Sequence, residues 1–284
     1  MAESIGTFQI VGELGKGAHS TIYHIRRHSD SRHYALKVVP INCKEDNKFR
    51  EQAEHEMRVA LLLDHPNLVK VHLLELQRDW LFRVSKVHLM IEYINGKTLD
   101  QSIKLSLPMR VQIYAKIAEG LMHMHKRGVY HADLKPNNIM LSKVGTIKII
   151  DYGLAWIKGE PKERVQGTPE YMAPEQSTKA TANERTDIYN LGATMYRLTT
   201  GHLPPSTVST GGLPMSAKLF RNLLKPVPEL APDTPKPLSE LIHRCLEFDA
   251  AKRPQRVAEV LTELNVLIEK MVKSDGDRLE SLGW

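Results

Sequence analysis

Two residues with side-chain oxygens, Asp133 and Asn138, lie five positions apart in one short loop of the sequence, HADLKPNN. A third, Asp151, follows the apolar stretch TIKII. Any one of these residues could be a turn former or a helix cap. Together they place oxygen ligands at two neighbouring strand ends, which is the arrangement that suits Mg²⁺ when it holds phosphates. The pattern therefore indicates a site for magnesium and phosphate.

A glycine-rich stretch, GKGAHS, places Gly15 and Gly17 between two segments of strand-like composition, with Ser20 at its end. Two glycines in a hairpin often serve only to allow positive φ angles. The functional alternative is a lid whose backbone N–H groups close over phosphates with no side chain in the way. Because the stretch does not open a helix, a Rossmann dinucleotide site is disfavoured.

A single lysine, Lys37, interrupts the apolar strand pattern HYALKVV. Such a lysine must reach solvent or find a partner, and an outward-facing position on an alternating strand is one interpretation. In the functional interpretation, the ammonium group of Lys37 binds phosphates and forms an ion pair with a carboxylate. Glu56 and Glu54 follow on the next helical segment, and we expect Glu56 to face inward because it leads into an apolar stretch.

The elements that position these residues divide the chain into two parts. β-Branched and aromatic residues alternate with polar ones in the first part, where strands are predicted over residues 8–15, 20–27, 33–39, 68–77 and 86–94, with a helix over 44–63 and a hairpin over 78–85. In the second part, apolar residues at helical spacing predict helices over 109–128, 183–200 and 255–273. A β-rich part followed by a helical part predicts an α+β fold with two lobes and a cleft.

The remaining segments of the second part are predicted to be irregular. Residues 202–214 and 225–237 are rich in Pro, Ser, Thr and Gly, which is typical of loops. The tail 274–284 is polar, and we expect it to be frayed.

The composition limits the classes of protein to which the chain can belong. With 284 residues, 42% hydrophobic and 25% charged, it has the balance of a globular protein. Its net charge of +6 is dispersed, so nucleic-acid binding is not expected. No run of about 18 apolar residues exists, so no membrane span is expected in this chain. Cys43 and Cys245 are far apart without zinc-like spacing, which favours a reducing cytoplasm over a disulfide framework.

With these motifs in family order and at family spacing, the sequence resembles the catalytic domain of eukaryotic-type, or Hanks-type, serine/threonine protein kinases. The resemblance extends from about residue 8 to residue 272. It implies a two-lobed kinase fold, with an N-lobe over 1–93, a C-lobe over 94–273 and the polar tail 274–284. It also implies that ATP and Mg²⁺, with Mn²⁺ as a substitute, bind in the cleft. The γ-phosphoryl group would then pass to a hydroxyl of a protein substrate.

The resemblance assigns catalytic roles to four residues. Asp133 matches the base that accepts and orients the substrate hydroxyl, and Lys135 matches the lysine that steadies the γ-phosphate. Lys37 matches the lysine that holds the α- and β-phosphates, and Glu56 matches its partner on the helix. These four residues are therefore the expected catalytic set.

The resemblance also implies ligands for metal and nucleotide. Asn138 and Asp151 match the two magnesium ligands. The other implied positions contact ATP, and they are Gly15, Gly17 and Ser20 in the lid, Ile22, Ala35 and Met140 around adenine, Ile91 behind it, and the backbone of Glu92 and Ile94 at its edge.

Three further matches concern the substrate and the framework. Lys135 and the motif GTPEY are typical of serine/threonine kinases, in which the threonine, here Thr168, has a structural role. Glu175 in the motif APE would pair with Arg253, and Asp187 would bond the backbone of the catalytic loop.

One charge of the family pattern is missing. Most relatives carry an arginine immediately before the base, where it awaits a phosphate on the activation loop. This sequence has Ala132 there, and residues 154–166, LAWIKGEPKERVQ, contain no Ser, Thr or Tyr. The resemblance is thus to a variant without this arginine, similar to bacterial members, and control by phosphorylation of this loop is not expected. A regulatory partner could instead bind the N-lobe, at the hairpin of Trp80 and Phe82, or the loop 202–214.

Two alternatives to an active protein kinase stay open. The chain could be a nucleotide-binding scaffold that only docks partners, or a small-molecule phosphotransferase of related fold. The segment GTPEYMAPE disfavours the second, because it builds a peptide-binding shelf that such enzymes do not need.

Overall fold

The computed structural model describes residues 4–5, 8–17, 19–101, 105–161, 166–179, 182–208 and 213–281 of the chain. The chain forms two compact units. The first consists of Met1–Gly96 with the short segment Ile150–Gly153, and the second of Lys97–Ile149 with Leu154–Trp284. Of the segments singled out in the sequence, Ala18 in the glycine-rich stretch, residues 162–165, 209–212 and 282–284 lie outside the described residues.

The first unit is built on one six-stranded sheet. Its strands are β1 (Ser4–Ile5), β2 (Phe8–Lys16), β3 (Thr21–Arg27), β4 (His33–Pro40), β5 (Val71–Arg78) and β6 (Val84–Glu92). They lie in the order β1-β2-β3-β4-β6-β5, and each neighbouring pair is antiparallel. The five predicted strands are confirmed. The sequence does not reveal β1, because two residues are too few to show alternation.

One helix of the first unit, α1 (Asn47–Leu61), packs against β5 and β6. Its buried Ala53 forms one apolar cluster with Val39 of β4 and Val87 of β6. Side chains alternate along a strand, so Lys37 lies on the same face of β4 as Val39. The packing of this apolar cluster therefore directs Lys37 toward α1.

The helix begins later than the sequence predicts. Lys44–Asp46 form a 3-10 turn rather than the first turn of α1. The Oδ2 atom of Asp46 accepts hydrogen bonds from the backbone N–H groups of Asn42 and Cys43, at 2.9 and 3.2 Å. Because aspartate satisfies backbone donors ahead of it, it fixes a turn at this point instead of continuing a helix.

The second unit is mainly helical. Its strands are β7 (Gly96–Thr98), which begins at the boundary of the unit, β8 (Val129–Tyr130), β9 (Ile139–Ser142), β10 (Ile147–Ile149) and β11 (Trp156–Ile157). Its helices are α2 (Leu107–Lys126), α3 (Pro174–Lys179), α4 (Glu184–Thr200), α5 (Ala217–Leu223), α6 (Val227–Leu230), α7 (Lys236–Cys245) and α8 (Val257–Ser281). The small sheets are β10-β9-β7 and β11-β8.

Helix α4 forms the centre of the second unit, and it packs against α2, α6, α7 and α8. Most of its residues are buried, including the polar Thr186, Asp187 and Asn190. Its first turn is capped by Asn183, whose Oδ1 accepts a hydrogen bond from the N–H of Arg185 at 2.8 Å. Buried polar groups on a central helix must find partners, and those partners fix the loops around it.

Two sequence predictions for the second unit are wrong. The segment 225–237 was expected to be a loop, but it contains α6 and the start of α7. Four of its five prolines lie at the beginnings of these helices, where the missing N–H group has no helical partner to lose. The tail was expected to fray from residue 274, but α8 continues to Ser281. The polar composition of residues 274–281 predicts that they are exposed, but it does not predict that the helix ends. These residues contain no proline that would stop it.

Among the described residues, no helix combines the length and the apolar character that crossing a membrane requires.

Candidate active site

Lys37 and Glu56 form a buried ion pair in the first unit. The Nζ atom of Lys37 lies 2.7 Å from Oε2 of Glu56, whose side chain is only 2% exposed. The other candidate, Glu54, lies at the surface and contacts Arg50 instead. Burial disfavours the charged lysine, but the carboxylates of Glu56 and Asp151 outweigh it, so the pKa of Lys37 lies above its ordinary value. Lys37 is thus held as a cation by α1.

Asp151 occupies a special backbone position in the first unit. Its φ of 67° lies in the left-handed region, which is unfavourable for residues other than glycine. Its Oδ1 atom accepts a hydrogen bond from the N–H of Gly153 at 3.0 Å. The next side chain, Tyr152, is fully buried and donates a hydrogen bond to the carbonyl oxygen of Val69 at 2.9 Å. This bond fixes the turn that presents the Asp151 carboxylate at the surface.

The predicted nucleotide contacts of the first unit lie on adjoining strands. Gly15 of β2 pairs with Ile22 of β3, and Ile22 pairs with Lys37 of β4. Ala35 of β4 pairs with Ile91 of β6. The sheet therefore brings these residues to neighbouring positions.

The lid and the end of β6 complete this set. The N–H of Gly17 donates a hydrogen bond to the carbonyl oxygen of Ser20 at 2.8 Å, which closes the turn between β2 and β3. At the end of β6, the N–H of Glu92 donates a hydrogen bond to the carbonyl oxygen of Lys70 at 2.8 Å. Ile94 follows in a half-buried position.

In the second unit, the Asp133 carboxylate is the centre of a compact polar cluster. Its Oδ1 atom accepts hydrogen bonds from the N–H and the hydroxyl of Thr168, at 3.0 and 2.9 Å. Its Oδ2 atom lies 2.7 Å from Nζ of Lys135. Lys135 also donates a hydrogen bond to the Thr168 hydroxyl at 2.5 Å. Thr168 therefore links the two charged residues, which agrees with its predicted structural role.

Asn138 belongs to the same cluster. Its Nδ2 group donates hydrogen bonds to the backbone carbonyl of Asp133 at 2.9 Å and to Oδ2 of Asp133 at 3.2 Å. These bonds orient the amide so that its oxygen is the atom left to serve as a ligand. Amide and carboxylate oxygens are the donors that Mg²⁺ prefers, so Asn138 and Asp151 each fit the chemistry of a magnesium ligand. Met140 lies nearby on β9, paired with Lys148 of β10.

The backbone before Asp133 is fixed by a buried carboxylate on α4. Asp187 is fully buried, and it accepts hydrogen bonds from the N–H of His131 at 2.9 Å and of Ala132 at 2.8 Å. Burial opposes its ionised form, but the hydrogen bond and the charge of His125 outweigh burial and hold the pKa of Asp187 below its usual range. The predicted contact between Asp187 and the catalytic loop is present.

His125, near the end of α2, has a role that the sequence analysis missed. Its Nε2 atom lies 2.7 Å from Oδ2 of Asp187, and its Nδ1 atom lies 3.3 Å from Oε1 of Glu184. Burial alone would lower its pKa, but these two carboxylates raise it to about 9. The sequence gives no signal that separates this histidine from His123, two positions earlier.

A second buried ion pair joins the end of the 166–179 segment to the loop before α8. The guanidinium of Arg253 contacts both carboxylate oxygens of Glu175, at 2.8 and 2.9 Å. Arg253 also donates a hydrogen bond to the carbonyl oxygen of Arg185 at 2.9 Å and lies over the ring of Tyr189. Burial opposes the Glu175 carboxylate, but Arg253 outweighs it and lowers the pKa of Glu175.

These arrangements agree with the comparison with known proteins. Residues 8–265 match a family described as Protein kinase domain. This chain belongs to the protein kinase domain family. The kinase fold expected from the sequence is therefore confirmed, with a β-rich first unit and a helical second unit.

Curated relatives place the kinase domain in the Hanks-type serine/threonine group. A probable serine/threonine-protein kinase of Clostridium acetobutylicum is 29% identical over 276 residues, covering 94% of this chain and 41% of that protein. A serine/threonine-protein kinase of Bacillus subtilis is 30% identical over 207 residues, covering 70% and 31%. One of Myxococcus xanthus is 30% identical over 284 residues, covering 91% and 32%. The kinase domain thus spans about two fifths or less of the length of these relatives.

We expect His125 to make the stability of the kinase domain depend on pH. Its pKa of about 9 in the folded chain exceeds the ordinary value of 6.5. Its contribution to the free energy of unfolding is therefore complete below about pH 6.5 and is lost as the pH rises through about 9. This contribution is on the order of 3 kcal/mol. Thermal unfolding measured by circular dichroism should show a Tm that falls over this pH range.

The His125→Gln variant should lack this fall in Tm, because glutamine keeps a hydrogen-bond donor but does not titrate. His123→Gln is the matched control, since His123 lies on the same helix outside the Asp187 contact, and it should keep the parental slope. An equal slope in His125→Gln would contradict the assignment.

Proposed function

We propose that the chain is an active protein serine/threonine kinase that transfers the γ-phosphoryl group of ATP to Ser and Thr hydroxyls of proteins. The observation that carries the proposal is the bonding of Asp133. Its Oδ1 atom is held by Thr168 and its Oδ2 atom lies against the Lys135 ammonium. A carboxylate fixed in this way can orient a hydroxyl group and accept its proton. The names of the relatives support the same activity.

The proposed roles of the charged residues follow from the same contacts. Asp133 orients the substrate hydroxyl, and Lys135 neutralises charge on the transferred group. Lys37, held by Glu56 at 2.7 Å, binds the α- and β-phosphates as a cation. Phosphoryl transfer depends mainly on position and on charge neutralisation, so lysines whose charge is secured by a carboxylate suit this chemistry.

We propose Asn138 and Asp151 as magnesium ligands. A bound Mg²⁺ would neutralise phosphate charge, and Mn²⁺ could replace it because it takes similar oxygen donors. The nucleotide itself would be bound by Gly15, Gly17, Ser20, Ile22, Ala35, Ile91, Glu92, Ile94 and Met140. The strand pairing of Ile22 with Lys37 supports this assignment, because it puts an apolar side chain next to the phosphate-binding lysine.

Replacing the proposed phosphate-binding lysine or the base should abolish transfer. We expect Lys37→Met and Asp133→Asn each to lower kcat by at least about 100-fold, because each removes one charge and keeps the side-chain size. Asp151→Ala should have an effect of the same order. The measurement is ³²P transfer from ATP to a generic protein substrate, with Lys86→Met and Asp233→Asn as matched controls at exposed positions.

The same assay separates the alternatives. A scaffold would bind ATP but transfer no phosphate in the parental chain, and a small-molecule phosphotransferase would phosphorylate small acceptors in preference to protein. Full activity in Asp151→Ala would refute the magnesium assignment.

We also propose that phosphorylation of the activation loop does not control this kinase. Ala132, at the position where most relatives carry arginine, is uncharged and 1% exposed. No Ser, Thr or Tyr occurs in residues 154–166. The sequence therefore lacks both the cation before Asp133 and, within residues 154–166, a hydroxyl group that could carry the phosphate.

Phosphatase treatment should accordingly leave the specific activity unchanged within about twofold, since no phosphate pairs with the catalytic loop. Initial rates before and after treatment, with mass spectrometry to verify dephosphorylation, provide the measurement. A large loss of activity that maps to residues 154–166 would contradict the proposal.

We propose the hairpin between β5 and β6 as the surface for a regulatory protein partner. Trp80 and Phe82 are 85% and 79% exposed at its tip. Asp79 fixes the turn, because its Oδ1 atom accepts hydrogen bonds from the N–H groups of Leu81 and Arg83, at 2.8 and 2.9 Å. Phe82 keeps a left-handed φ of 58°. A rigid turn that presents two aromatic side chains suits insertion into an apolar pocket of a partner.

The loop 202–214 is the second proposed partner surface. It is tied to the segment after Thr168, because the hydroxyl of Thr207 donates a hydrogen bond to the carbonyl oxygen of Met172 at 2.8 Å. Leu203 and Leu213 are exposed on it, at 45% and 70%. A partner bound there would act next to the proposed peptide shelf.

Removing the aromatic tip should affect activity in cells and not in purified protein. We expect the double variant Trp80→Ser, Phe82→Asn to keep kcat within about twofold, because both side chains are exposed and asparagine tolerates the left-handed φ. Phosphorylation of cellular targets, measured by quantitative phosphoproteomics, should fall. Val144→Ser, at another exposed apolar position, is the control. Unchanged phosphorylation in the double-variant cells would argue against a partner at this hairpin.

Two further expectations, on compartment and on partners, belong to the same proposal. Cys43 and Cys245 are both free, which supports a reducing compartment such as the cytoplasm. Proteins, and not nucleic acids, are the proposed partners, because the basic residues of the chain are dispersed.

A further inference from the structure

The backbone of Ala132, immediately before the proposed base, is held in an unfavourable conformation. Its φ is 61°, in the left-handed region that residues with a Cβ atom avoid. Such a conformation persists only where the surroundings impose it. Both polar groups of Ala132 are bonded to buried side chains: its N–H donates to Oδ1 of Asp187 at 2.8 Å, and its carbonyl oxygen accepts from Nε2 of Gln176, also at 2.8 Å.

Gln176 joins this carbonyl group to the end of the activation segment. It is 1% exposed and lies in α3. While its nitrogen donates to Ala132, its Oε1 atom accepts hydrogen bonds from the N–H of Ala173 at 2.9 Å and from Nδ2 of Asn190 at 3.3 Å. The carbonyl of Ala132 needs a donor and the N–H of Ala173 needs an acceptor, so the amide can bond both in one orientation only.

The contacts of Asn190 extend the connection to the peptide shelf. Its Nδ2 group also donates a hydrogen bond to the carbonyl oxygen of Tyr171 at 2.6 Å. A Cβ atom added at Gly167, whose φ is 145°, would lie 3.7 Å from both the carbonyl oxygen of Ala132 and Nε2 of Gln176. Gly167, at the start of the segment 167–176, and Ala173, near its end, therefore both lie next to the neutral side-chain amide of Gln176.

This neutral link does not need a phosphate. A buried arginine before the base would require a negative partner to order the segment. An amide has no net charge, and the hydrogen bonds of Gln176 are made by groups of the chain itself. The geometry therefore provides a permanent connection between the catalytic loop and the segment 167–176.

We propose that Gln176 is a positioning residue for the phosphoryl transfer of this chain. Together with Asp187 it holds the left-handed backbone of Ala132, and it thereby aims the carboxylate of Asp133. The inference rests on the proposed kinase function. It explains how a chain without the arginine keeps its catalytic loop ordered.

The test is a double-mutant cycle between Gln176 and Ala132. We expect Gln176→Leu, and Gln176→Glu at a pH where the glutamate is ionised, each to lower kcat by about tenfold or more, with the KM for ATP changed less than twofold. Leucine and ionised glutamate both lack the donor to Ala132 and leave the nucleotide contacts in place. Ala132→Gly should raise the kcat of Gln176→Leu by about fivefold, since glycine adopts the left-handed conformation without a clamp. It should not raise the kcat of the parent.

Matched measurements separate positioning from folding. Thermal unfolding is recorded for every variant, and Gln77→Leu, at an exposed glutamine of β5, is the control for the substitution itself. If Gln176→Leu does not unfold cooperatively, the comparison is made with Gln176→Glu, which has the same size and shape. Parental kcat in a folded Gln176 variant would overturn the inference. So would a loss of kcat that Ala132→Gly does not restore, which would assign Gln176 a structural role only.

These outcomes differ from a failure of the proposed function. If the parental chain transfers no phosphate to protein, the function fails before the variants are compared. If the parent is active and Gln176→Leu matches it, only the inference fails.

Discussion

The buried carboxylate of Asp187 is the constraint on which the catalytic loop depends. A carboxylate in an apolar interior must be paired and fully bonded, and the partners of Asp187 are the backbone N–H groups of His131 and Ala132 and the ring of His125. Because α4 is the central helix of the second unit and most of its residues are buried, the loop is anchored to the core of that unit. The stability of the core and the position of Asp133 are therefore determined by the same set of hydrogen bonds.

The same physical rule explains the other charged pairs. Glu175 holds Arg253 in the second unit, and Glu56 holds Lys37 in the first. Burial opposes charge in both pairs. The opposite charge outweighs burial at Glu175, whose pKa is lowered, and at Lys37, whose pKa is raised, whereas burial keeps the pKa of Glu56 above its ordinary value. Removing one partner of such a pair usually costs about 3–5 kcal/mol, because the other charge is left without compensation. The two pairs thus use the same kind of contact. Arg253 donates all of its bonds to Glu175 and to backbone carbonyls, whereas Lys37 is the residue proposed to donate to a phosphate.

The sequence predicts most of what depends on residue type and spacing. Alternation in HYALKVV predicts β4, and the inward position of Glu56 follows from the apolar face of α1. It does not predict partners that depend on long-range packing. Gln176 and His125 are ordinary polar residues in their local segments, and their roles appear only where α4 meets the loop before Asp133. Element ends are also set by local bonds, as the Asp46 turn shows at the start of α1.

The contrast between Ala132 and the usual arginine shows how loop order can be obtained in two ways. A cation before the base leaves the segment dependent on a phosphate, because an unpaired buried charge is unfavourable until the phosphate arrives. An alanine removes that dependence, but its methyl group cannot form a hydrogen bond or an ion pair with the activation segment. The backbone of Ala132 still requires bonding, since its left-handed conformation is unfavourable by about 1–2 kcal/mol. Two buried side chains, Asp187 and Gln176, supply that bonding with groups that are always present. Under the proposed function, a loop fixed by such groups would have no switch of its own, and regulation would act on other surfaces of the domain.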